Sequence, residues 1–149
     1  MKKFITLCLV LISIVKLGAQ AKNPVTWVAS YKSLSATEGE IHITASIEKG
    51  WHTYSQKPTD AGPISTSFTF VPSSQYKLEG KTEESGAKEE FDKAFEARLY
   101  IFYDKAEFTQ KIKLNGKPGF NVAINVENVS CNESMCLPPK RVDLSVKVQ

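Results

Sequence analysis

The sequence is short of the residues that most often carry chemistry. It holds 3 cysteines and 2 histidines in 149 residues. No serine–histidine–acid grouping, glycine-rich phosphate loop or zinc-ligand spacing stands out. Internal repeats and low-complexity stretches are missing as well. There is no apolar run of the ~18–20 residues that a membrane-spanning helix needs. The longest candidate, Phe4 to Val15, has twelve residues. It follows Lys2 and Lys3 and precedes Ala19-Gln20-Ala21, a small-x-small site. That is the pattern of an export signal cleaved after Ala21. Residues 1–21 are therefore expected to be a signal peptide and residues 22–149 a single exported domain. Cys8 belongs to the discarded part.

An excess of one charge is lacking too. The whole chain carries a formal +3, but the signal holds Lys2, Lys3 and Lys16 and no acid, so the mature chain is formally neutral. Nothing favours nucleic acid or an anionic membrane surface as a partner. After signal cleavage no stable membrane insertion is expected, and no cofactor or metal is called for. Taking residues 1–21 from 149 leaves 128, enough for one hydrophobic core. The domain is expected to be a monomer.

What is present is alternation. Val25, Trp27, Ala29 and Tyr31 alternate with polar residues, as do Ile41, Ile43, Ala45 and Ile47. Period two is the strand signal. Ser67 to Val71 reads as a short strand stopped by Pro72. Leu99, Ile101 and Tyr103 share one face and Tyr100 and Phe102 the other, so this strand is expected to be buried on both sides. A turn at Asp104-Lys105 and a return strand through Phe108, Ile112 and Leu114 follow. Phe120 to Val126 and Val142 to Val148 complete the set. Gln56 to Thr66 is rich in turn formers and reads as a loop. Lys81 to Glu96 is a charged excursion holding Phe91 and Phe95, four residues apart. It reads either as a short helical turn burying both or as a loop presenting one aromatic. Seven to nine short strands argue for an all-β, immunoglobulin-like β-sandwich, with a small barrel as the competitor.

The mature chain keeps Cys131 and Cys136. Four residues separate them, which suits a hairpin loop with Cys131 ending one strand and Cys136 starting the next. Such positions can face each other at disulfide distance. A loop this short removes little unfolded-state entropy, less than the ~3 kcal/mol of a 15-residue loop. Pro138-Pro139 lack N–H donors and leave part of the adjoining edge open. Three readings remain open here. One is a hairpin-stapling disulfide in a non-enzymatic interaction module, and another is a redox-active pair. The third is a soft Cu(I) site made by Cys131, Met135 and Cys136. Among the remaining candidates, His42 reads as a solvated histidine and His52, in Gly50-Trp51-His52-Thr53-Tyr54, as packing in an aromatic strand. Asn128 and Asn132 match the N-glycosylation pattern, a short match that is frequent by chance.

Three stretches together resemble the N-terminal periplasmic domain of the DsbD thiol:disulfide interchange family. They are Gly50-Trp51-His52-Thr53-Tyr54-Ser55-Gln56, Glu90-Phe91-Asp92-Lys93 and Cys131…Cys136-Leu137-Pro138-Pro139. The cysteine–diproline element is the most specific. The resemblance covers roughly residues 24–149. It implies an immunoglobulin-like sandwich that exchanges disulfides with thioredoxin-like periplasmic proteins. Cys136 would form the mixed disulfide and Cys131 would resolve it. Phe91 matches a phenylalanine that caps the pair, and His52 and Tyr54 match residues lining the site. No membrane segment follows the last strand, so a separate membrane electron transporter is the expected source of electrons.

Overall fold

The computed structural model describes residues 22–149, and the export-signal expectation for residues 1–21 lies outside the described residues. Eleven strands are described: β1 Val25–Ser33, β2 Glu38–Ile47, β3 His52–Tyr54, β4 Ser67–Phe70, β5 Tyr76–Ser85, β6 Lys88–Asp92, β7 Ala97–Tyr103, β8 Lys105–Leu114, β9 Asn121–Asn128, β10 Ser130–Cys131 and β11 Lys140–Lys147. They form three antiparallel sheets in the orders β1-β2-β8-β5, β10-β3-β7-β6 and β11-β9-β4. The result is an all-β, immunoglobulin-like sandwich rather than a closed barrel.

The alternation explains the layers. In β2, Ile41, Ile43, Ala45 and Ile47 are buried while the residues between them face outward or half outward. In β8 and β9 the same rule buries Phe108, Ile112 and Leu114, and Val122, Ile124 and Val126. These inward faces meet in one core with Trp27, Phe70, Phe102 and Val146. Side chains of period two can face only one side of a sheet, so each long strand contributes every second residue. Aromatic rings hold the centre: Phe108 lies 5.8 Å from Trp27, 4.7 Å from Phe68 and 5.4 Å from Phe102, ring centre to ring centre.

A second, smaller cluster consists of Tyr54, Leu99, Ile101, Val129 and Cys131. Strand β7 separates the two clusters, sending Phe102 to the first and Leu99 and Ile101 to the second. This is the expected two-sided burial, although Tyr103 at the strand end is exposed.

Two expectations need correction. The Asp104 turn does not close a hairpin. β8 pairs with β2 and β5, not with β7. Asp104, at φ 57°, is the single residue at which the chain leaves one sheet and enters another. An aspartate tolerates this left-handed conformation better than most residues. The Lys81 to Glu96 excursion is not helical. Its first part continues β5 across an irregularity between Glu79 and Glu83, and Lys88–Asp92 forms β6 at the edge of the second sheet. Edge strands are often charged, because a polar edge discourages pairing with other chains. That composition is what obscured the strand in the sequence.

The core makes a direct prediction. Phe108→Ala is expected to destabilise the domain by about 3–5 kcal/mol, whereas Val28→Ala, at an exposed β1 position, stays within about 0.5 kcal/mol. Urea unfolding of the two variants reads both values.

Candidate functional site

The end of β9 leads through Val129 into β10, which delivers Cys131 to the rim of the second sheet. Cys131 and Cys136 are joined by a disulfide, with Cα atoms 4.0 Å apart. The loop geometry accounts for that short distance. Asn132 N–H donates to the Met135 carbonyl and Leu137 N–H to the Ser130 carbonyl, each at 2.9 Å. The cysteines lie between these two bonded pairs, so they are a non-hydrogen-bonded pair, the kind that brings Cα atoms to about 4.5 Å. The Asn132 side-chain oxygen accepts from the N–H groups of Ser134 and Met135, both at 2.9 Å, and holds the intervening turn. Cys136 does not start a strand as expected. It makes a single bridge to Cys131. After it come the exposed Pro138 and Pro139, and β11 begins only at Lys140, pairing with β9. The diproline is the physical reason: without N–H groups it cannot extend the ladder beside β10.

The two sulfur-bearing residues differ in access. Cys131 is 1% exposed and packed into the second cluster, whereas Cys136 is partly exposed and only borders it. An open cleft of about 830 Å3 lies against the disulfide, lined by His52, Phe91, Asp92, Tyr103, Cys131 and Glu133 among others. Cys131 forms part of its floor despite its low exposure. Tyr54 and Cys136 adjoin this region without lining the cleft. Phe91, on β6 rather than on a loop, stands at the lip and is 60% exposed. The expectation of a helical turn burying Phe91 and Phe95 together therefore fails. Phe95 alone turns inward, its ring 6.1 Å from that of Tyr54.

Beside the disulfide runs a polar chain. Strand β3 pairs with β10 on one side and β7 on the other, which places Cys131, His52 and Tyr103 in one row across the sheet. The Tyr54 hydroxyl donates to Asp92 Oδ2 at 2.8 Å, and His52 Nε2 lies 3.0 Å from the Tyr54 oxygen. Asp92 Oδ1 accepts from the N–H groups of Ala94 at 2.8 Å and Phe95 at 3.2 Å. The Tyr103 hydroxyl donates to Glu90 at 3.0 Å. Burial is the main influence on each ring. It pulls His52 below the ordinary histidine value, with Asp92 and Glu90 opposing. It pushes Tyr54 far above the phenol range, reinforced by Asp92. Tyr103 is raised to about 12, by burial first and then by Glu90 and Asp92. His52 is thus neutral and both phenols keep their protons at neutral pH.

All the sequence-derived site residues fall at this end of the domain. His52 is the register partner of Cys131 across the ladder. His42 lies on β2 in the other sheet, 3.2 Å from Glu40. Sequence reasoning passed over Asp92 and Tyr103. Asp92 was within reach, because alternation over Lys88–Asp92 puts it on the face opposite Phe91. Recognising that required reading a charged stretch as a strand. Among the described residues, no three His, Cys, Asp or Glu side chains gather as metal ligands would.

Comparison with known proteins follows the same lines. The family described as thiol:disulfide interchange protein DsbD, N-terminal, matches residues 22–147. The solved N-terminal domain of DsbD from Neisseria meningitidis, in the reduced form, is 18% identical with a TM-score of 0.52, over 75% of this chain and 85% of that one. A complex between the DsbD N-terminal and PilB N-terminal domains of the same organism gives 16% identity and a TM-score of 0.52, over 80% of each chain. The N-terminal periplasmic domain of ScsB from Proteus mirabilis gives 16% and 0.52, over 83% of this chain and 45% of that one. At such identities these structures show the fold. None of the curated proteins matches the chain.

Two outcomes test the polar chain. Asp92→Ala strands the Tyr54 hydroxyl and two backbone N–H groups, and a loss of about 1–3 kcal/mol is expected in urea unfolding. For His52, the unfolded ring binds a proton below about pH 6.5 while the folded ring resists it. Stability is therefore full above that pH and falls as pH drops toward the lowered folded value. Unfolding midpoints measured across this window should fall less steeply in His52→Gln than in the native protein.

Proposed function

The chain belongs to the family of the DsbD N-terminal domain, and we propose that it relays electrons in the periplasm by exchanging disulfides with thioredoxin-like proteins through Cys131 and Cys136. The observation that carries this reading is the unequal access of two bonded cysteines at the tip of a short hairpin. Exchange proceeds by attack of a thiolate on a reachable sulfur. Cys136, partly exposed beside the open diproline edge, is the one a partner meets first. Cys131, packed against Tyr54, Ile101 and Val129, is held for the second step.

In the reduced domain the Cys136 thiolate attacks a partner disulfide. A Cys136–partner bond forms, the partner's S–S bond breaks, and one partner thiolate leaves. Cys131 then attacks the Cys136 sulfur, the internal disulfide forms, and the partner departs as a dithiol carrying two electrons. The reverse sequence recharges the domain from a dithiol donor, in this reading one supplied by a separate membrane electron transporter. Phe91 and His52 on the cleft wall, with the exposed Pro138 and Pro139 after Cys136, form the surface on which partners dock, Tyr54 packs behind it, and Phe91 screens the pair between encounters. A related domain from Neisseria has been solved in complex with another protein's N-terminal domain, which supports a docking role. Residues 1–21 serve here as the export signal, and residues 22–149 act as a monomeric domain.

The burial of Cys131 favours one second reading, an interaction module with a structural staple. Its weakness is energetic: so short a loop contributes less than the ~3 kcal/mol of a 15-residue loop.

The two readings part in the native periplasm. Cys131→Ser should accumulate mixed disulfides between Cys136 and thioredoxin-like proteins, visible on non-reducing gels, and Cys136→Ser should not. A staple predicts no adducts with either variant and a reduction potential below about −300 mV, whereas a relay sits above it.

A further inference from the structure

The polar chain beside the disulfide has no part in the exchange steps as written above, yet its hydrogen-bond pattern is directional. Asp92 accepts three hydrogen bonds, from the Tyr54 hydroxyl and from the N–H groups of Ala94 and Phe95. A phenol has one proton, and that of Tyr54 is committed to Asp92. At the contact with His52 the Tyr54 oxygen can then only accept, so the proton of the neutral imidazole sits on Nε2. Nδ1 is left with a free lone pair. Tyr103, the other phenol beside the ring, directs its own proton to Glu90 and has none for Nδ1.

The ring carrying this lone pair stands directly across the ladder from Cys131 and lines the same cleft. Side chains of directly opposed residues lie on one face with Cβ atoms about 4.5–5.5 Å apart. Resolution of a mixed disulfide requires Cys131 as thiolate, yet Cys131 is almost wholly buried, and burial disfavours thiolate formation. A local proton acceptor answers that need.

We propose that Nδ1 of His52 takes the proton of Cys131 in the resolving step, with Tyr54 and Asp92 as positioning residues that fix the imidazole tautomer. The inference rests on the exchange reading above. The Cys131 thiol gives its proton to His52, and its sulfur attacks Cys136. The Cys131–Cys136 bond forms and the Cys136–partner bond breaks. The departing partner thiolate takes the proton from the imidazolium. While charged, the imidazolium faces Asp92 Oδ2 at 3.7 Å. The groups facing it are Asp92 and Glu90 from β6, Tyr54 from β3, Tyr103 from β7 and Cys131 from β10, with Lys93 and Glu133 on the cleft wall. The lowered affinity of His52 for a proton keeps it ready to accept at neutral pH.

The test uses glutathione disulfide as oxidant of the reduced domain, with acid quenching and mass spectrometry to follow the protein–glutathione mixed disulfide. His52→Gln should form the adduct at the native rate and resolve it at least about ten-fold more slowly at neutral pH. The native resolution rate should show an inflection below about pH 6.5 that the variant lacks. Asp92→Asn is the sharper variant. Its side-chain oxygen keeps the backbone donors, its amide donates to Tyr54, the phenol proton turns to His52 Nε2, and the imidazole proton moves to Nδ1. Resolution should slow as in His52→Gln, although His52 is still present. Nitrogen-15 spectra of the reduced native protein should show the neutral ring protonated at Nε2. A ring protonated at Nδ1, or a His52→Gln variant that resolves at the native rate, overturns the proposal and leaves the exchange reading intact. Failure of Cys131→Ser to trap any periplasmic protein removes the exchange reading and this one with it.

Discussion

The site depends on the pairing of one three-residue strand. Strand β3 is hydrogen-bonded to β7 on one edge and to β10 on the other, and without it Cys131 has no fixed neighbour in the second sheet. The pairing is reinforced where β3 is too short to secure itself. Thr53 Oγ1 donates to the Val129 carbonyl at 2.8 Å, just before β10, and Ser55 N–H continues the ladder to the Tyr100 carbonyl at 2.9 Å. Thr66 Oγ1 donates to the Tyr54 carbonyl from the loop that follows. Because side chains alternate along a strand, fixing this register decides at once that His52 and Tyr54 face the disulfide and that Thr53 faces away from it.

A second consequence is the division of labour between the two clusters. The large core between the β1-β2-β8-β5 and β11-β9-β4 sheets holds most of the buried apolar side chains. The small cluster around Tyr54, Leu99 and Ile101 holds the disulfide. Among the described strands only β7 contributes large side chains to both. The Cys131–Cys136 bond thus lies in the small cluster, apart from the interdigitated aromatic centre at Trp27, Phe68 and Phe108. Under the exchange proposed above the domain must be stable both oxidised and reduced, and this separation serves that need, since a short-loop disulfide adds little to the balance.

The buried polar chain shows the opposite economy. Taking a carboxylate, a phenol and an imidazole partly out of water is costly unless each finds partners. Asp92 is 7% exposed and has three donors. Its two backbone donors come from the turn between β6 and β7, so the carboxylate both ends the edge strand and ties it to β3. That tie holds the base of β6 in place, with Phe91 carried on the opposite side of the strand, exposed at the cleft lip. Satisfied networks of this kind specify one geometry rather than several.

How much of this was legible in the sequence follows from which interactions are local. Period-two alternation in Val25–Tyr31, Ile41–Ile47 and Phe120–Val126 determined the strand class and the inward faces, because the two-residue repeat of an extended chain is a property of the backbone alone. The two cysteines, with four residues between them and two prolines beyond, likewise suited a hairpin loop with an open edge after it. Only the tertiary structure decided which strands meet. It turned the expected Asp104 hairpin into a change of sheet, made a strand of the charged Lys88–Asp92 stretch, and brought Asp92 and Tyr103 to residues 38 and 51 positions earlier in the chain, at Tyr54 and His52. The unequal burial of Cys131 and Cys136 belongs to the same class. It arises from what packs against each sulfur, and those neighbours come from distant segments whose register no local pattern records.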